Sequence, residues 1–403
     1  MTISPITRFR SSTLYSLLFL LIVGCLPYAV YAIQTDSIPT VRKVKDILIY
    51  QDSLFYASFP SIVKLSDGEY LLAFRRAPNR RIFGESGTNH VDPNSYLVTL
   101  RSTDGENWSQ EPSLLYAHPF GGSQDPCLLL KHDGSLLCTS YGWAALRSEG
   151  IEHLTSSQVK VSANSVFLGG YLLHSQDDGQ TWNGPDYPLS LLVEVRQDAL
   201  GQPLPAYNRG ALWEGQNGKL FWSVAVAEDT TQLRKTSAHL LTSEDGGQSW
   251  NYSCPIARDP VVAFNETSLY QTPKGDLVAF LRTANFDGQA CVARSTDGGR
   301  SFSAWQSMGF LGYPLHALPL PDKRVLLTYG YRAEPYGIRA RVLNAECTDF
   351  ATAPEIILRK DGGNGDLGYT WSVQMDDRRV LVVYYFNQAD GLRHIAGTIL
   401  EIE

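Results

Sequence analysis

The sequence predicts an all-β chain folded as one six-bladed β-propeller. Three observations carry this reading. Six segments share the pattern of a hairpin, with short apolar runs on either side of a turn near Asp-Gly. A second phrase, Ser then Asp two residues on, then Gly, then Trp or Phe, recurs four times. No stretch longer than about twelve residues keeps a 3.6-residue apolar period.

The N-terminal segment stands apart. Arg8 and Arg10 precede the apolar run LYSLLFLLIVG at 14–24, Pro27 breaks it, and VYA at 30–32 offers small residues for cleavage. This layout is that of a secretory signal peptide, with an apolar run too short to span a bilayer. Residues 1–32 are expected to be removed, leaving 33–403 as a single propeller in a secreted or periplasmic protein. IVGC at 22–25 also resembles a lipobox, which makes lipid anchoring at Cys25 a second, minor expectation. No later stretch is a candidate membrane span.

The hairpins follow in order. They are SIVKLSDGEYLLAF at 61–74, CLLLKHDGSLLCTS at 127–140 and ALWEGQNGKLFWSV at 211–224, then SLYQTPKGDLVAFL at 268–281, HALPLPDKRVLLTY at 316–329 and SVQMDDRRVLVVYY at 372–385. Between them come further β-rich runs, SYLVTL, GGYLLH, AHLLT and ACVAR, each leading into one copy of the Ser-x-Asp phrase. Those copies are RSTDGENW at 101–108, HSQDDGQTW at 174–182, TSEDGGQSW at 242–250 and RSTDGGRSF at 294–302. The unit is therefore two hairpins, or four strands, and six such units fit between residue 50 and the C-terminus. A four-stranded sheet repeated radially buries its faces on its neighbours and leaves few open edges. The phrase reads as the turn between the third and fourth strands. Its Asp accepts hydrogen bonds from the turn backbone, its Gly permits a positive φ, and its aromatic ring packs into the blade.

Composition narrows the function. Loss of 1–32 would remove two basic residues and no acidic ones, leaving 32 basic against 41 acidic side chains, a net charge of −9. That balance argues against nucleic acid or an anionic membrane as partner. Five cysteines remain, Cys127, Cys138, Cys254, Cys291 and Cys347, so at least one is unpaired. Cys127 and Cys138 flank one hairpin and read as two buried small residues, with a disulfide as the alternative. No CxxC pair or His-rich cluster suggests a metal, and no cofactor is expected. A monomer is expected.

In a propeller the first strand of each blade lines the central channel. Reading about eight positions ahead of each hairpin turn gives Ser58 and Phe59, then Asp125, Arg209, Glu266, His316 and Tyr369. Five of the six blades thus place an ionisable or phenolic side chain at the mouth, which together suggests a polar pocket.

The four phrases match the Asp box of the sialidase superfamily, and the resemblance covers nearly the whole chain after 1–32. It implies Asp boxes at the blade periphery, away from the active site. It also implies an exo-acting glycoside hydrolase that removes a terminal acidic, sialic-acid-like sugar from a glycan or glycoconjugate. Such enzymes use an arginine triad for the sugar carboxylate, a Tyr nucleophile with a Glu as its base, and an Asp acid/base. NETSLYQTPKGDLVAFLRT at 265–283 resembles the blade carrying the Glu and one triad Arg, giving Glu266 and Arg282. YGIRARV at 336–342 resembles the strand of another triad Arg, giving Arg339, and GYTWSVQM at 368–375 resembles the segment of the Tyr, giving Tyr369. The loop HVDPNSYLVTLRSTDG at 90–105 points to Asp92 as acid/base. Arg75 or Arg76 in LLAFRR resembles a substrate-contacting Arg, and Asp125 matches a substrate-side Asp. Arg209 and His316 join the substrate-binding set from their place at the mouth.

One departure matters. The family opens its first blade with Arg-Ile-Pro, whereas ASFPSI here has Ser58 in place of the Arg. The Glu that orients this Arg is also missing from VVYYFN at 382–387. Losing both is coherent, because a buried Glu without its Arg is costly. A carboxylate would then be gripped differently, through Arg75, Arg76 or Arg209, or the sugar is another one. Two alternatives stay open: a non-catalytic glycan-binding propeller, and a polysaccharide lyase or other glycosidase in which Tyr and His serve as base and acid.

Overall fold

The computed structural model describes residues 41–403 except 86–89, 155, 163 and 164. The proposed leader at 1–32, with Cys25, lies outside the described residues. Six antiparallel sheets follow one another along the chain. The first blade is Phe55–Lys64, Tyr70–Pro78, Tyr96–Ser102 and Ser113–Tyr116. The last is Gly368–Gln374, Arg379–Phe386 and His394–Ile402, completed on its outer edge by the N-terminal strand Val41–Tyr50. Pairing the first strand with the last closes the ring and removes an open edge.

The second blade departs from the simple pattern. Its inner strand is split into Gly122–Ser123 and Cys127–Leu130, and its middle strands Leu136–Ala145 and Ser165–Ser175 run long. The excursion between them holds a five-residue helix, Ser148–Glu152, too short to show an apolar period in the sequence.

The apolar runs of the sequence become the interfaces between blades. Among the described residues a buried cluster fills each of the six junctions: Leu72, Trp371 and Leu381 join the sixth blade to the first, and Leu71, Leu136 and Leu173 join the first to the second. The other four junctions are built the same way. Cys127 and Cys138 face different junctions from neighbouring strands and are both unpaired and buried. Alternation along the strands thus rules out the disulfide.

The four Ser-x-Asp phrases form the turns between third and fourth strands. In the fourth blade Asp297 Oδ1 accepts from the Ser301 N–H at 3.0 Å and from the Ser295 hydroxyl at 2.7 Å. Ser295 Oγ in turn accepts from the Gly299 N–H at 2.9 Å. Gly299 has φ +84°, and a Cβ there would lie 2.7 Å from Leu240 of the preceding blade, so the turn needs glycine twice over. The aromatic ring closes the motif: Trp250 is buried edge-on against Trp222, 5.3 Å between centroids. Bonds to turn N–H and hydroxyl groups hold the Asp177 and Asp245 carboxyls down to about 2. These aspartates serve the turns and do not line the pocket described next.

Candidate active site

The inner strands share a local irregularity that builds the site. In the first blade the pairing slips between Ser58 and Ser61, and Phe59 takes φ +57°. In the sixth it slips between Gly368 and Trp371, and Tyr369 takes φ +53°. The fourth slips between Phe264 and Thr267, which frames Glu266. A bulge re-aims its side chain, here toward the channel mouth. A positive φ on a bulky residue costs on the order of 1–3 kcal/mol and persists only where surrounding contacts fix it.

Those contacts are found around Tyr369. Its hydroxyl donates to Glu266 Oε1 at 2.5 Å. Arg282 Nη1 donates to the same carboxylate oxygen, and to the Tyr369 oxygen at 3.2 Å. The Arg209 guanidinium lies 4.8 Å and that of Arg332 5.3 Å from the Tyr369 ring centroid. Arg209 is pinned by the carbonyls of Pro60 and Tyr369, leaving its buried Nε and Nη1 without partners among the described residues. Arg332 donates to the Leu367 carbonyl and to the Tyr385 hydroxyl at 3.2 Å. Phe59 packs against Tyr369 at 4.7 Å between centroids.

These groups line one cavity of about 430 Å³, within the usual range for small-molecule clefts. Asp125, Tyr141, Lys160, Tyr207 and His90 complete much of its wall. Its cationic groups Arg209, Arg282, Arg332 and Lys160 outnumber the carboxylates Asp125 and Glu266.

The two carboxyls are driven in opposite directions. Burial pushes Glu266 up, but Arg282 and the Tyr369 hydroxyl outweigh it and hold the group below the usual range. Burial dominates at Asp125 and raises it, against Arg209 and the Tyr141 hydroxyl, which donates to Oδ2 at 2.8 Å. Asp125 Oδ1 has no partner among the described residues. Burial, then the Glu266 charge, pushes the Tyr369 hydroxyl well up, against Arg282. Tyr369 is therefore neutral at rest, Glu266 ionised, and Asp125 the easier of the two carboxyls to protonate.

Of the residues expected from sequence, Tyr369, Glu266, Arg282, Arg209 and Asp125 meet in this cavity. Five others do not. Asp92 is buried outside it, gripped by Arg80 through Nε at 2.7 Å and Nη2 at 2.9 Å, so an acid/base role there has no geometric support. Arg339 is turned into the fifth blade, where its guanidinium donates to the carbonyls of Ile338, Pro335 and Arg359. Its place beside Tyr369 is taken by Arg332, which the sequence reading missed. Arg76 points away from the channel, stacks at 3.5 Å on Phe55 and pairs with Asp52 at 3.0 Å. Arg75 is buried behind the cavity near the rings of Tyr56 and Phe59. His316 lines a separate cavity with Ile62, Leu269 and Trp371. Its Nδ1 accepts from the Ser372 N–H at 3.2 Å, and burial with Arg209 nearby pulls it down to about 3.

Ser58 does not line the cavity. It is buried and paired in register with Arg75, and the pocket wall beside it is Phe59. Near the missing Glu stands Tyr385, whose hydroxyl accepts from Arg332 and donates to Asp366 at 2.9 Å. Asp366 also takes Arg393 at 2.9 Å and faces His90 Nε2 at 3.2 Å. The last blade thus orients an arginine of the fifth blade through a phenol.

Comparison with known proteins places this arrangement in context. The model of the BNR repeat-like domain matches residues 153–382. A protein of unknown function from Dyadobacter fermentans, known from its crystal structure, is 60% identical, with a TM-score of 0.89 over 91% of this chain and 100% of its own. A point mutant of the NanB sialidase from Streptococcus pneumoniae matches at 14% identity and a TM-score of 0.61, over 89% of this chain and 70% of its own. The alpha-L-arabinanase of Penicillium chrysogenum, in complex with arabinobiose, matches at 14% identity and a TM-score of 0.60, over 89% and 98%. The last two are likenesses of fold. A search of the curated proteins finds no match.

Proposed function

Since the chain belongs to the BNR repeat-like domain family, we propose that it is a glycoside hydrolase that releases a terminal anionic sugar from a glycan. The observation that carries this reading is the 2.5 Å bond from Tyr369 to Glu266 inside a cavity that also holds Arg209, Arg282 and Arg332. Three guanidiniums with few carboxylates favour an anionic ligand, and planar forks suit a carboxylate.

In this reading Tyr369 is the nucleophile. Its oxygen bonds to the anomeric carbon while Glu266 takes the hydroxyl proton. Arg282 keeps Glu266 ionised before the reaction, so the base is ready without first losing a proton of its own. A neutral phenol also avoids setting a second negative charge against an anionic sugar. Asp125 gives its proton to the leaving oxygen as the glycosidic bond breaks. Water then attacks the glycosyl-tyrosine, Asp125 takes the water proton, and Tyr369 recovers its own from Glu266. Two titratable groups whose surroundings push them apart are the mark of such a division of labour. Asp125 thus takes the role that the sequence reading gave to Asp92. The leader-like pattern of 1–32 supports action outside the cytoplasm.

The test is a panel of fluorogenic glycosides of sialic, glucuronic and galacturonic acids, with neutral galactosides and arabinosides as controls. Release from an anionic member by the wild type, and none by Tyr369→Phe, is the expected result. An ultraviolet-absorbing unsaturated product would instead indicate a lyase.

A further inference from the structure

One side chain of the cavity wall, Lys160 on the excursion of the second blade, is not used by the chemistry above. It lines the cavity with Trp143, Tyr141 and Tyr207. Its ammonium lies 5.2 Å from the Trp143 ring and 4.8 Å from that of Phe167. Among the described residues it has no ion pair and no side-chain hydrogen bond, only these ring faces. The two carboxylates near enough to act on it are committed elsewhere, Glu266 to Tyr369 and Arg282. Glu194 takes the buried Arg196 through both oxygens, at 2.8 Å to Nε and 2.5 Å to Nη2. Arg196 also donates to the Tyr207 hydroxyl at 3.0 Å, which fixes that ring in the wall. A partly buried cation that meets ring faces in place of an ion pair is relieved by an anion brought in by a ligand. Burial, with Arg196 and Arg234 nearby, lowers the ammonium to about 7, and an anion bound beside it would raise it again.

We propose that Lys160 is a second anion-recognition point, which takes an acidic substituent on the sugar adjoining the one released. The inference rests on the hydrolase reading for the placement of the first sugar at Tyr369. Tyr141 and Tyr207, 5.4 Å apart and steeply inclined, supply the aromatic wall against which that adjoining ring lies. The preferred substrate is then a glycan with acidic groups on two successive sugars. An ammonium is a point charge that accepts a carboxylate or a sulfate ester equally well in geometry, so both sources are compared below.

The experiment titrates the protein by calorimetry with disaccharides of terminal sialic or glucuronic acid joined to galactose, galacturonic acid or galactose 6-sulfate. Sugar release from each is followed in parallel. An acidic second sugar is expected to bind roughly ten- to a hundredfold more tightly than galactose, as for one charge-assisted hydrogen bond. Lys160→Gln should abolish that preference, whereas Lys160→Arg should retain it. Preference for galacturonic acid alone assigns a carboxylate, and for galactose 6-sulfate alone a sulfate. Equal wild-type affinity for all second sugars, a preference that survives in Lys160→Gln, or no binding of any acidic disaccharide overturns the proposal. Release of the terminal sugar without any preference overturns it while leaving the hydrolase reading intact. Lys160-dependent binding without release does the reverse.

Discussion

Tyr369, on the inner strand of the sixth blade, donates its hydroxyl to Glu266 on the inner strand of the fourth, 2.5 Å away. The bond spans the channel mouth past the whole fifth blade. It therefore depends on closure of the ring and on both inner-strand bulges.

Glu266→Gln removes the base but keeps a group that can meet the phenol. Turnover of the best fluorogenic glycoside should fall by about 10²–10⁴, with substrate affinity little changed. Steady-state kinetics give kcat and KM separately. A larger loss in affinity than in turnover would argue that Glu266 binds the sugar instead.

The pH profile should be a bell. Activity needs Glu266 ionised, and that group is held below the usual carboxylate range. It also needs Asp125 protonated, and that group is raised above it. Activity therefore rises as pH climbs through the Glu266 value and falls as it climbs through that of Asp125. Asp125→Asn should remove the falling limb and lower turnover most for substrates with poor leaving groups. Asp92→Asn should leave the profile unchanged, because its carboxylate serves Arg80.

Arg332 and Arg339 should separate cleanly. Arg332→Gln takes a cation from the cavity and should raise KM for an anionic glycoside by roughly tenfold or more. Arg339→Gln leaves three blade carbonyls without their donor and should lower the melting temperature while KM stays the same. Thermal melts and kinetics on both variants give the comparison.

The Ser-x-Asp turns are expected to matter for stability alone. Trp250→Ala empties a buried site against Trp222 and should cost about 3–5 kcal/mol in denaturant unfolding. The surviving folded fraction should show wild-type kcat.

The fold was legible because its signals repeat: six Asp-Gly-type hairpins and four copies of one turn leave few other architectures. Tyr369, Glu266, Asp125 and Arg209 were legible for a related reason, since each precedes its hairpin by a similar interval. The choice between Arg75 and Arg76 could have been settled by alternation. Arg75 and Arg282 lie at matching positions on the second strands of their blades, so Arg76 must face the other way. In the fifth blade that position is Gly330, where a Cβ would lie 2.5 Å from the Tyr313 carbonyl. Arg332, two residues on and on the same face, supplies the missing side chain. Asp92 and His90 could not be told apart by pattern, because a loop has no fixed period and Arg80 reaches Asp92 from outside it. Lys160 was invisible because it belongs to an excursion of the second blade that no repeat covers.

The central claim is that Tyr369 forms a covalent bond to the sugar. It is tested most directly by inactivating the protein with a fluorinated glycosyl fluoride of whichever anionic sugar the wild type releases, then sequencing the labelled peptide by mass spectrometry. The account predicts one sugar per chain, carried on Tyr369, and no labelling of Tyr369→Phe. A label on Glu266 or Asp125, or hydrolysis by Tyr369→Phe at the wild-type rate, would contradict it.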